Sequence, residues 1–577
     1  MKTQTTPQEV VRRRAKDEAS KDRLIVDYYR VRRKLAYPLP IAGLHVAGFP
    51  LRSFPSADYP WSIWLTWSLE ERLAALGWAA EWDGNEAIST AAARDLAALA
   101  AWPRYRQFER LDLAMGHAGR MLWRAKAHWH WPAPALRDAL VQAMVRLVED
   151  ALPFSEGLHG SFKTAAQIIE SHEPHAHLHN IPTIATLGAA LAAHGAGHPS
   201  ADLLDARLEV LVGALLEIRM RGHSEGVAYD GYLFDFIADW LSCLPEARRR
   251  PLLGHPGLES VFGESCRLHA PGDAVAVAEL GDVEPVQMNF HLSAQAKLQA
   301  LDPTPGRAWF LGQCAAEAMR SDGLAALHHA PSTPQEPLPA GAADAQYAAV
   351  LRGGHDEDDL AVAVSASGSP MGHIHFDRGS IVIGTRGRWL ITDPGYQQYV
   401  ETTERTFTIG AKAHNAPTLD GRAQDRKASA RPVLSSPGRG TFRADLELGE
   451  CYSEAAAKIS RSVWLEGKRN VIVRDRFTLG RRMELGYHWL ADAGAGWWIE
   501  GGSACLAWDS APGDCLWIRT SHGPLSERLV DRLPGSRGGM TLSYSFTEEP
   551  GTFEIAWWFQ LASSLPEPRQ RLEDLEP

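Results

Sequence analysis

Apolar residues recur with two different periods along this chain of 577 residues, and the change of period falls near its middle. Between about residues 60 and 330 they recur at the spacing of one face of an α-helix. Clear examples are the segments 136–152, 201–219 and 306–320. Many such helices joined by short loops predict a helical bundle or a helical toroid in the first half of the chain.

The second half follows a period of two, which places alternate residues on opposite faces of a β-strand. Strand-like runs separated by turn signals predict an antiparallel β-sandwich. These runs are 360–367, 380–384, 388–392, 469–477 and 552–559. The segment 328–346 holds four prolines and few large apolar side chains, so we interpret it as a linker. The predicted domains are a helical domain over 1–335 and a β domain over 345–577.

Composition and charge exclude some classes of function. The formal net charge is −11, which argues against a nucleic-acid partner because such proteins favour a basic patch. No run of about 18 apolar residues occurs, so we expect no membrane-spanning helix. The charged N-terminus lacks the apolar core of a secretion signal, which predicts a cytoplasmic protein, or a periplasmic one if a signal has been removed. The twenty tryptophans suit either core packing or sugar rings.

Two histidines and an acid stand out in the sequence GHIHFD, ahead of an apolar run. Residues two apart on a strand face the same side, so His373, His375 and Asp377 are expected to share a face. Asp393 and His414 follow in the same half of the chain. His375, Asp393 and His414 would offer two nitrogens and one oxygen, which suits zinc with a fourth position for water or another group. The alternative is a set of histidines hydrogen-bonded within a β-sheet.

A second cluster lies in the sequence ESHEPHAHLHN, immediately before a predicted helix. It contains His172, His175, His177 and His179, followed by Asn180. The N-terminus of a helix stabilises anions, so these side chains are candidates for binding a substrate carboxylate. The alternative is a solvated histidine-rich loop without a ligand.

A third cluster lies in the sequence SEGVAYDGYLFDF, where Glu225, Tyr229 and Tyr232 are interpreted as part of a glycine-rich turn ahead of a helix. A tyrosine in such a turn can reach a cleft and exchange a proton with a substrate. The alternative is that both tyrosines cap a helical core.

Taken in their order along the chain, these segments resemble the heparinase II/III-like polysaccharide lyases. The sequences GHIHFD, LITDPG and AHNAPTLDG are similar to the His-x-His-x-Asp strand, the Leu-x-x-Asp-x-Gly strand end and the Ala-His-Asn segment of that family. HAHLHN is similar to its Asn-His-Leu helix start, and SEGVAYDGY to its Glu-Gly turn with a following tyrosine. The resemblance implies an α+β multidomain fold, with an N-terminal incomplete (α/α) helical toroid followed by a C-terminal antiparallel β-sandwich.

The resemblance also implies eliminative cleavage of a uronic-acid oligosaccharide or polysaccharide. It implies one chiefly structural divalent metal on His375, Asp393 and His414, which we expect to be zinc, with calcium as the alternative. The expected partner is therefore a uronate glycan, with no nucleic acid and no membrane, and a homodimer is left open. Without a secretion signal, we expect exo-type action on short imported chains.

Elimination needs a group that neutralises the uronate carboxylate, because charge builds on it as the C5 proton leaves. Asn180 and His177 suit this role. His175 and His179 are competing candidates for the same role and are otherwise expected to bind substrate. Arg405 is a further candidate for substrate binding.

Elimination also needs a base for the C5 proton and an acid for the leaving O4. The candidate bases are His373 and Tyr232, and the candidate acids are Tyr232 and Tyr229, with Glu225 beside them as a substrate-binding residue. We expect Tyr232 to matter more than Tyr229, because it projects further from the Glu225 turn. One tyrosine in both roles predicts syn elimination, whereas a histidine base with a tyrosine acid predicts anti elimination.

Two other classes of function fit parts of the sequence. A glycoside hydrolase on an (α/α) toroid would need two catalytic carboxylates, and it leaves the clustering of histidines and tyrosines unexplained. A non-catalytic carbohydrate-binding protein would use the aromatic residues and histidines for recognition alone. An unsaturated uronate product distinguishes a lyase from both alternatives.

Overall fold

The computed structural model of the chain describes most of its residues, and the following account concerns those. They are 5–22, 24–28, 31–35, 61–106, 111–155, 164–171, 178, 180–272, 276–283, 289–366, 373, 375–395, 403–425, 428–438, 440–455, 457–508, 515–525, 530–531 and 539–564.

The chain divides into two compact units, each built from three segments. The helical unit comprises Met1–Ile218, Asp230–Glu259 and Val286–Glu336. The β unit comprises Arg219–Tyr229, Ser260–Pro285 and Pro337–Pro577.

Helices dominate the N-terminal half, as the helical spacing of apolar residues predicts. They are α1 (Pro7–Ala19), α2 (Trp61–Asp83), α3 (Glu86–Ala100), α4 (Leu113–Ala127), α5 (Pro134–Ser155), α6 (Ala165–Ile169), α7 (Asn180–Ala196), α8 (Ala201–Arg219), α9 (Val227–Cys243), α10 (Glu246–Leu253), α11 (Pro256–Arg267), α12 (Phe290–Leu301), α13 (Pro305–Gln313), α14 (Ser321–His329) and, later in the chain, α15 (Thr403–Thr408). A short hairpin of β1 (Leu24–Tyr28) and β2 (Val31–Leu35) follows α1.

Local capping chemistry sets several helix starts. The Thr6 hydroxyl accepts a hydrogen bond from the backbone N–H of Glu9, whose carboxylate accepts one from the backbone N–H of Thr6. Asn85 and Asp112 cap α3 and α4 in the same way, with side-chain oxygens that accept backbone N–H groups. These side chains satisfy N–H groups that have no partner inside the helix.

One predicted helix, over 306–320, is wrong in its second half. α13 ends at Gln313, because Cys314 adopts extended backbone at φ −76° and ψ 134°. A new helix starts at Ser321, whose backbone N–H and hydroxyl both donate to the Glu71 carboxylate, at 3.1 and 2.5 Å. Tertiary hydrogen bonds therefore override the helix propensity of this alanine-rich stretch.

α4 and α7 approach each other closely through glycines. A Cβ on Gly119 would lie 2.1 Å from the carbonyl oxygen of Gly188, and a Cβ on Gly188 would lie 2.3 Å from that of Gly116. Any side chain at these positions would force the two backbones apart. The contact fixes where α7 lies along α4, and α7 begins at Asn180.

Antiparallel strands build the C-terminal half. They are β3 (Gly341–Asp344), β4 (Ala348–Arg352), β5 (Ala361–Ser365), β6 (Ile381–Thr385), β7 (Arg388–Ile391), β8 (Thr418–Leu419), β9 (Val433–Gly438), β10 (Thr441–Glu447), β11 (Ala457–Glu466), β12 (Asn470–Leu479), β13 (Met483–Leu490), β14 (Ala495–Glu500), β15 (Ser503–Trp508), β16 (Cys515–Thr520), β17 (Val530–Asp531), β18 (Thr541–Glu548) and β19 (Gly551–Ala562). All five strands predicted from the period of two are present.

The strands form three sheets that share one hydrophobic core. Their orders are β14-β15-β16-β19-β12-β11-β10-β9, β17-β18-β13-β8 and β3-β4-β5-β6-β7. Buried aromatic and aliphatic residues of all three sheets, such as Trp489, Trp557 and Val362, belong to a single core cluster. The predicted fold class, a helical N-terminal region followed by antiparallel β-sheets, is confirmed.

A membrane-spanning helix needs about 20 predominantly apolar residues, which set a standard of length and hydropathy for the described helices. None of them combines enough length with enough apolar character to cross a bilayer.

Candidate functional site

The segment that carries His373 and His375 precedes β6 and is not a strand, so the strand prediction for this stretch is wrong. Its residues therefore do not alternate between two faces, and the two histidines have different neighbours. The ring of His373 stacks on Tyr229, whereas Nε2 of His375 lies 2.8 Å from Oδ1 of Asp282. The backbone N–H of Asp282 donates to the carbonyl of His373 at 2.9 Å, which holds this segment against the Asp282 loop.

His375, Asp393 and His414 converge in the β unit although they are far apart in sequence. One potential ligand atom from each lies within 4.8 Å of the other two, and all three side chains are buried. Two imidazole nitrogens and a carboxylate oxygen are typical zinc ligands.

The hydrogen bonds of the two imidazoles leave one nitrogen of each for a metal. His375 donates from Nε2 to Asp282, and His414 donates from Nδ1 to Oδ2 of Asp393 at 2.8 Å. Nδ1 of His375 and Nε2 of His414 are buried and have no hydrogen-bond partner within the described part of the chain. Buried polar atoms are rarely left in this way, so a bound cation fits these two nitrogens.

Burial and charge act in opposite directions at this cluster. Burial raises the pKa of Asp282, but the hydrogen bond from His375 and the nearby His375, His373 and Arg405 side chains together outweigh burial, so the pKa falls below its ordinary value. Burial likewise lowers the pKa of His414, and the adjacent Asp393 carboxylate outweighs that effect and raises it. The Asp282 carboxylate therefore favours its ionised form, in which it can orient the ring of His375.

The side chain of Asn415 ties the cluster to the β-sheet. Its Nδ2 donates to the carbonyls of Ile381 and Thr392, both at 2.7 Å, and its Oδ1 accepts the N–H of Leu490 at 2.9 Å. These bonds place His414, its neighbour in sequence, beside Asp393. Both ligands therefore depend on sheet positions rather than on a mobile loop.

A fully buried ion pair in the core supports the same region. The Arg461 guanidinium on β11 makes two 2.7 Å contacts with Asp475 on β12. It also donates to the carbonyls of Gly379 at 2.6 Å and Asn415 at 2.9 Å. Because these carbonyls belong to the segments that carry His375 and His414, Arg461 holds both segments at once.

Tyr229, His373 and Glu225 form a second group in the β unit. The rings of Tyr229 and His373 are nearly parallel, with an angle of 6° and a centroid distance of 3.5 Å. Nδ1 of His373 lies 3.4 Å from Oε1 of Glu225. His373 and Glu225 are buried, and Tyr229 is partly exposed. A phenol and an imidazole in contact, with a carboxylate behind the imidazole, are suited to proton transfer.

Both tyrosines lie in a helix and not in the turn predicted from the sequence. The turn ends at Gly226, whose φ of 92° is accessible mainly to glycine and whose N–H donates to the Ser224 hydroxyl at 3.0 Å. α9 begins at the next residue, so Tyr229 and Tyr232 occupy its first turns.

Tyr232 lies within the helical unit and is only 1% exposed. Its hydroxyl is hydrogen-bonded to Nε2 of His117 and lies 3.1 Å from Nε1 of Trp67. Nδ1 of His117 is in turn 2.7 Å from the carboxylate of Glu70, which is paired with Arg120. Burial raises the pKa of Tyr232 far above its ordinary value. This hydroxyl is therefore part of a closed hydrogen-bond network.

Two residues that contact these clusters could not be identified as their partners from the sequence. Asp282 is 93 positions from His375, and no spacing rule connects them. His117 lies within α4, among consecutive buried residues, 115 positions from Tyr232. Arg405 is the further candidate for substrate binding predicted from the sequence, and its guanidinium lies 3.6 Å from the Asp282 carboxylate.

The candidate carboxylate-binding cluster is only partly within the described residues. His175, His177 and His179 lie outside them, and the side chain of Asn180 does as well. The predicted helix after this cluster is present as α7, which begins at Asn180. The roles of these four residues stay predictions.

Comparisons with known proteins agree with the architecture. Residues 334–528 match the family model of the heparinase II/III-like C-terminal domain, whereas no curated protein sequence matches the chain. The crystal structure of heparinase III is similar over 98% of this chain and 86% of that one, with 13% identity and a TM-score of 0.60.

Two further solved structures show the same fold. Heparan sulfate lyase HepC from Pedobacter heparinus matches over 97% of this chain and 84% of that one, with 13% identity and a TM-score of 0.57. The heparinase III-BT4657 gene product matches over 89% and 81%, with 13% identity and a TM-score of 0.54. The resemblance to the heparinase II/III-like family is thereby confirmed, with a heparinase II/III-like C-terminal domain at residues 334–528 in a chain that has the fold of heparinase III.

Proposed function

We propose that this protein is a polysaccharide lyase that cleaves uronic-acid glycosidic bonds by β-elimination. The observation that carries the proposal is the stacked pair of Tyr229 and His373, with Glu225 behind the histidine, in the unit that contains the heparinase II/III-like domain. The similar solved structures are named as heparinase III and a heparan sulfate lyase, so heparan-type glycosaminoglycans are the first substrates to test.

The reaction removes a proton from C5 of the uronate and breaks the bond between C4 and the glycosidic O4. The electrons of the C5–H bond form a C4=C5 double bond, and O4 leaves with a proton. In our proposal Tyr229 donates that proton, because its hydroxyl belongs to the partly exposed member of the pair. His373, or ionised Tyr229 itself, takes the C5 proton, depending on the ring face to which C5–H points.

Glu225 has a positioning role in this scheme. Its carboxylate, 3.4 Å from Nδ1 of His373, favours the tautomer that carries its proton on Nδ1. Nε2 then holds the lone pair that a base requires. The buried carboxylate also stabilises the imidazolium that forms when the proton is transferred.

Neutralisation of the uronate carboxylate is the third requirement. Arg405 in the β unit offers a permanent positive charge, with its side chain 19% exposed. Asn180 and His177 are the predicted partners at the start of α7, with His175 and His179 as competing candidates. Donors in these positions would stabilise the charge that develops as the C5 proton leaves.

The proposed metal is zinc, held by His375, Asp393 and His414. Two imidazoles fit zinc better than calcium, which prefers six to eight oxygen ligands. When bound, the ion would cross-link the segments before β6, after β7 and before β8, which is a structural contribution. His373 is two residues from His375, so this cross-link also fixes the proposed base.

Incubation with heparan sulfate, heparin, hyaluronan, chondroitin sulfate and alginate tests the proposal. A lyase gives a product with the ultraviolet absorbance of the conjugated double bond, and it incorporates no oxygen from heavy-oxygen water. A glycoside hydrolase gives a saturated product that carries the heavy oxygen, and a binding protein gives no product. Exo-type action, which we also propose, predicts that short unsaturated products accumulate while most of the polymer keeps its length.

A further inference from the structure

A cavity of about 590 Å³ lies within the helical unit, and none of the described residues that line it is a candidate catalytic or metal-binding residue. It is lined by the C-terminal parts of α2, α4, α9 and α12 and by residues along α14. Cavities of this volume commonly enclose small organic ligands. Its lining shows which chemical class of ligand it fits.

Aromatic rings form one wall of the cavity. Trp78 and Trp82 stack with a centroid distance of 5.9 Å and an angle of 28°. Trp123 and His128 meet edge-on at 5.0 Å. Large flat rings of this kind bind the apolar C–H face of a sugar while leaving its hydroxyls to polar neighbours.

The indole N–H groups of Trp78 and Trp82 provide a second observation. Both nitrogens are buried, and neither has a hydrogen-bond partner among the described residues. A buried indole N–H usually has an acceptor. A hydroxyl or amide oxygen of a ligand in the cavity would supply the missing acceptors.

The charges of the lining argue against a charged ligand. Asp322 is bound by Arg124 at 2.9 Å and by Lys297 at 2.8 Å. Lys297 also binds Asp239 at 2.8 Å. The remaining carboxylate, Glu81, is hydrogen-bonded to His130 at 2.7 Å. Each charge is thus already paired, and burial lowers the pKa of His128 to about 4, so this histidine is neutral.

The helix ends add a further constraint. The C-terminus of an α-helix carries partial negative charge, and four helices line this cavity with residues of their C-terminal parts. A uronate or sulfate group would therefore be repelled. An ammonium group would have to compete with Arg124 and Lys297 for carboxylates that these residues already occupy. A neutral ligand rich in hydroxyl groups fits best.

We propose that this cavity binds a neutral pyranose unit, such as a hexose or an N-acetylhexosamine, and so gives the helical unit a sugar-binding site of its own. The proposal goes beyond lyase activity and does not depend on it. The site would hold an uncharged part of a glycan without contributing to proton transfer.

Saturation-transfer NMR on the full-length protein tests the proposal, with glucose, N-acetylglucosamine and glucuronate as probes. We expect both neutral sugars to bind and glucuronate not to bind at this cavity. Trp82→Ala removes part of the aromatic wall, and Ala326→Phe fills the cavity from α14. Each should weaken binding of the neutral sugars about tenfold or more.

The matched control is Trp498→Ala, which removes a 40% exposed tryptophan of the β unit and should leave binding unchanged. Tyr229→Phe should also retain binding, which separates this cavity from the proposed catalytic pair. Thermal unfolding checks that the variants fold. If Trp82→Ala does not fold, the binding measured with Ala326→Phe tests the proposal instead. The proposal is overturned if neither neutral sugar binds, if folded Ala326→Phe binds them as wild type does, or if glucuronate binds with the same sensitivity to Ala326→Phe.

Discussion

The two tyrosines near the start of α9 have different surroundings, and this difference predicts different effects of removing their hydroxyls. Tyr229→Phe should lower kcat by about 10²- to 10⁴-fold, because a general acid is lost while the ring stack with His373 remains. Tyr232→Phe should instead cost about 0.5–1.5 kcal/mol of stability, because it removes one buried hydrogen bond to Nε2 of His117, which keeps the 2.9 Å hydrogen bond from Nε1 of Trp67. The rate of unsaturated product formation and urea unfolding measure the two effects.

Each variant serves as the control for the other, since both replace a hydroxyl by hydrogen in the same helix. A loss of activity in Tyr232→Phe that exceeds the loss in Tyr229→Phe, with both proteins folded, would return the acid role to Tyr232. That result would also contradict the assignment of the stacked pair as the catalytic group.

The hydrogen bond from His375 to Asp282 gives a prediction about the metal. Asp282→Asn should weaken zinc binding about 10- to 100-fold, because second-layer carboxylates orient ligating histidines. His414→Ala should lose the metal and lower the unfolding temperature. Elemental analysis of unchelated protein and competition with a chelator provide the measurements.

Asp358→Asn is the matched control, because this 60% exposed carboxylate of the β unit forms an ion pair with Arg386 and is not one of the proposed zinc ligands or their partners. It should leave zinc affinity unchanged. Wild-type protein that carries no stoichiometric divalent metal would refute the zinc proposal for this site.

The sequence indicated which residues belong to the candidate sites more reliably than it indicated which partners their side chains contact. His375, Asp393 and His414 were named from residue types and a family resemblance, and they lie together in the structure. The partners Asp282 and His117 could not be named, because contacts across about a hundred residues depend on how the chain folds and leave no local pattern. The preference for Tyr232 over Tyr229 was drawn from a turn that proves to be a helix.

Elements are positioned by close contacts as well as by hydrophobic faces, as the α4–α7 pair shows. Gly188→Ala should destabilise the protein by about 1–3 kcal/mol, because its Cβ would overlap the Gly116 backbone. Gly213→Ala on α8 is the matched control. Its Cβ would lie 3.7 Å from Ala165, an ordinary contact, so it should stabilise the helix by up to about 1 kcal/mol.

Urea unfolding of both variants tests this prediction. Equal stability of Gly188→Ala and wild type would show that the helices can separate at little cost. In that case the contact would not fix the position of α7, nor that of Asn180 at its N-terminus.

At the scale of the element, periodicity predicted which elements exist, and tertiary contacts decided where they end. The strands over 380–384 and 552–559 are present nearly as predicted, because both segments are rich in β-branched or aromatic residues, which favour strands wherever they are buried. The helix over 306–320 is interrupted because Glu71, some 250 residues away, supplies an acceptor for Ser321. Such distant partners cannot be found from local spacing.

Across the whole molecule, burial of neutral histidines predicts how stability depends on pH. Burial lowers the pKa of His117, His128, His355 and His488 from 6.5 to about 4. Between these values the unfolded chain binds protons that the folded chain does not, so stability falls as pH decreases from about 6.5 to about 4. A fully buried histidine such as His117 would contribute on the order of 2 kcal/mol of this loss by about pH 5.

Urea unfolding at neutral pH and at about pH 5 measures the effect, and His488→Gln tests its origin. Glutamine does not titrate and can keep the 2.9 Å hydrogen bond to Ser543, so the variant should lose less stability on acidification. If His488→Gln loses as much stability on acidification as wild type does, His488 does not contribute to the acid instability of the protein.

The division of each unit into three chain segments has a consequence for how this gene can recombine. A crossover in the segment between α14 and β3 would transfer Pro337–Pro577 intact but leave Arg219–Tyr229 and Ser260–Pro285 behind. The transferred half would carry His373 without Glu225 and Tyr229, and His375 without Asp282. Exchange of the C-terminal half between distant relatives should therefore combine His373 and His375 with the other protein's residues at these positions, so we expect the two halves to be inherited together.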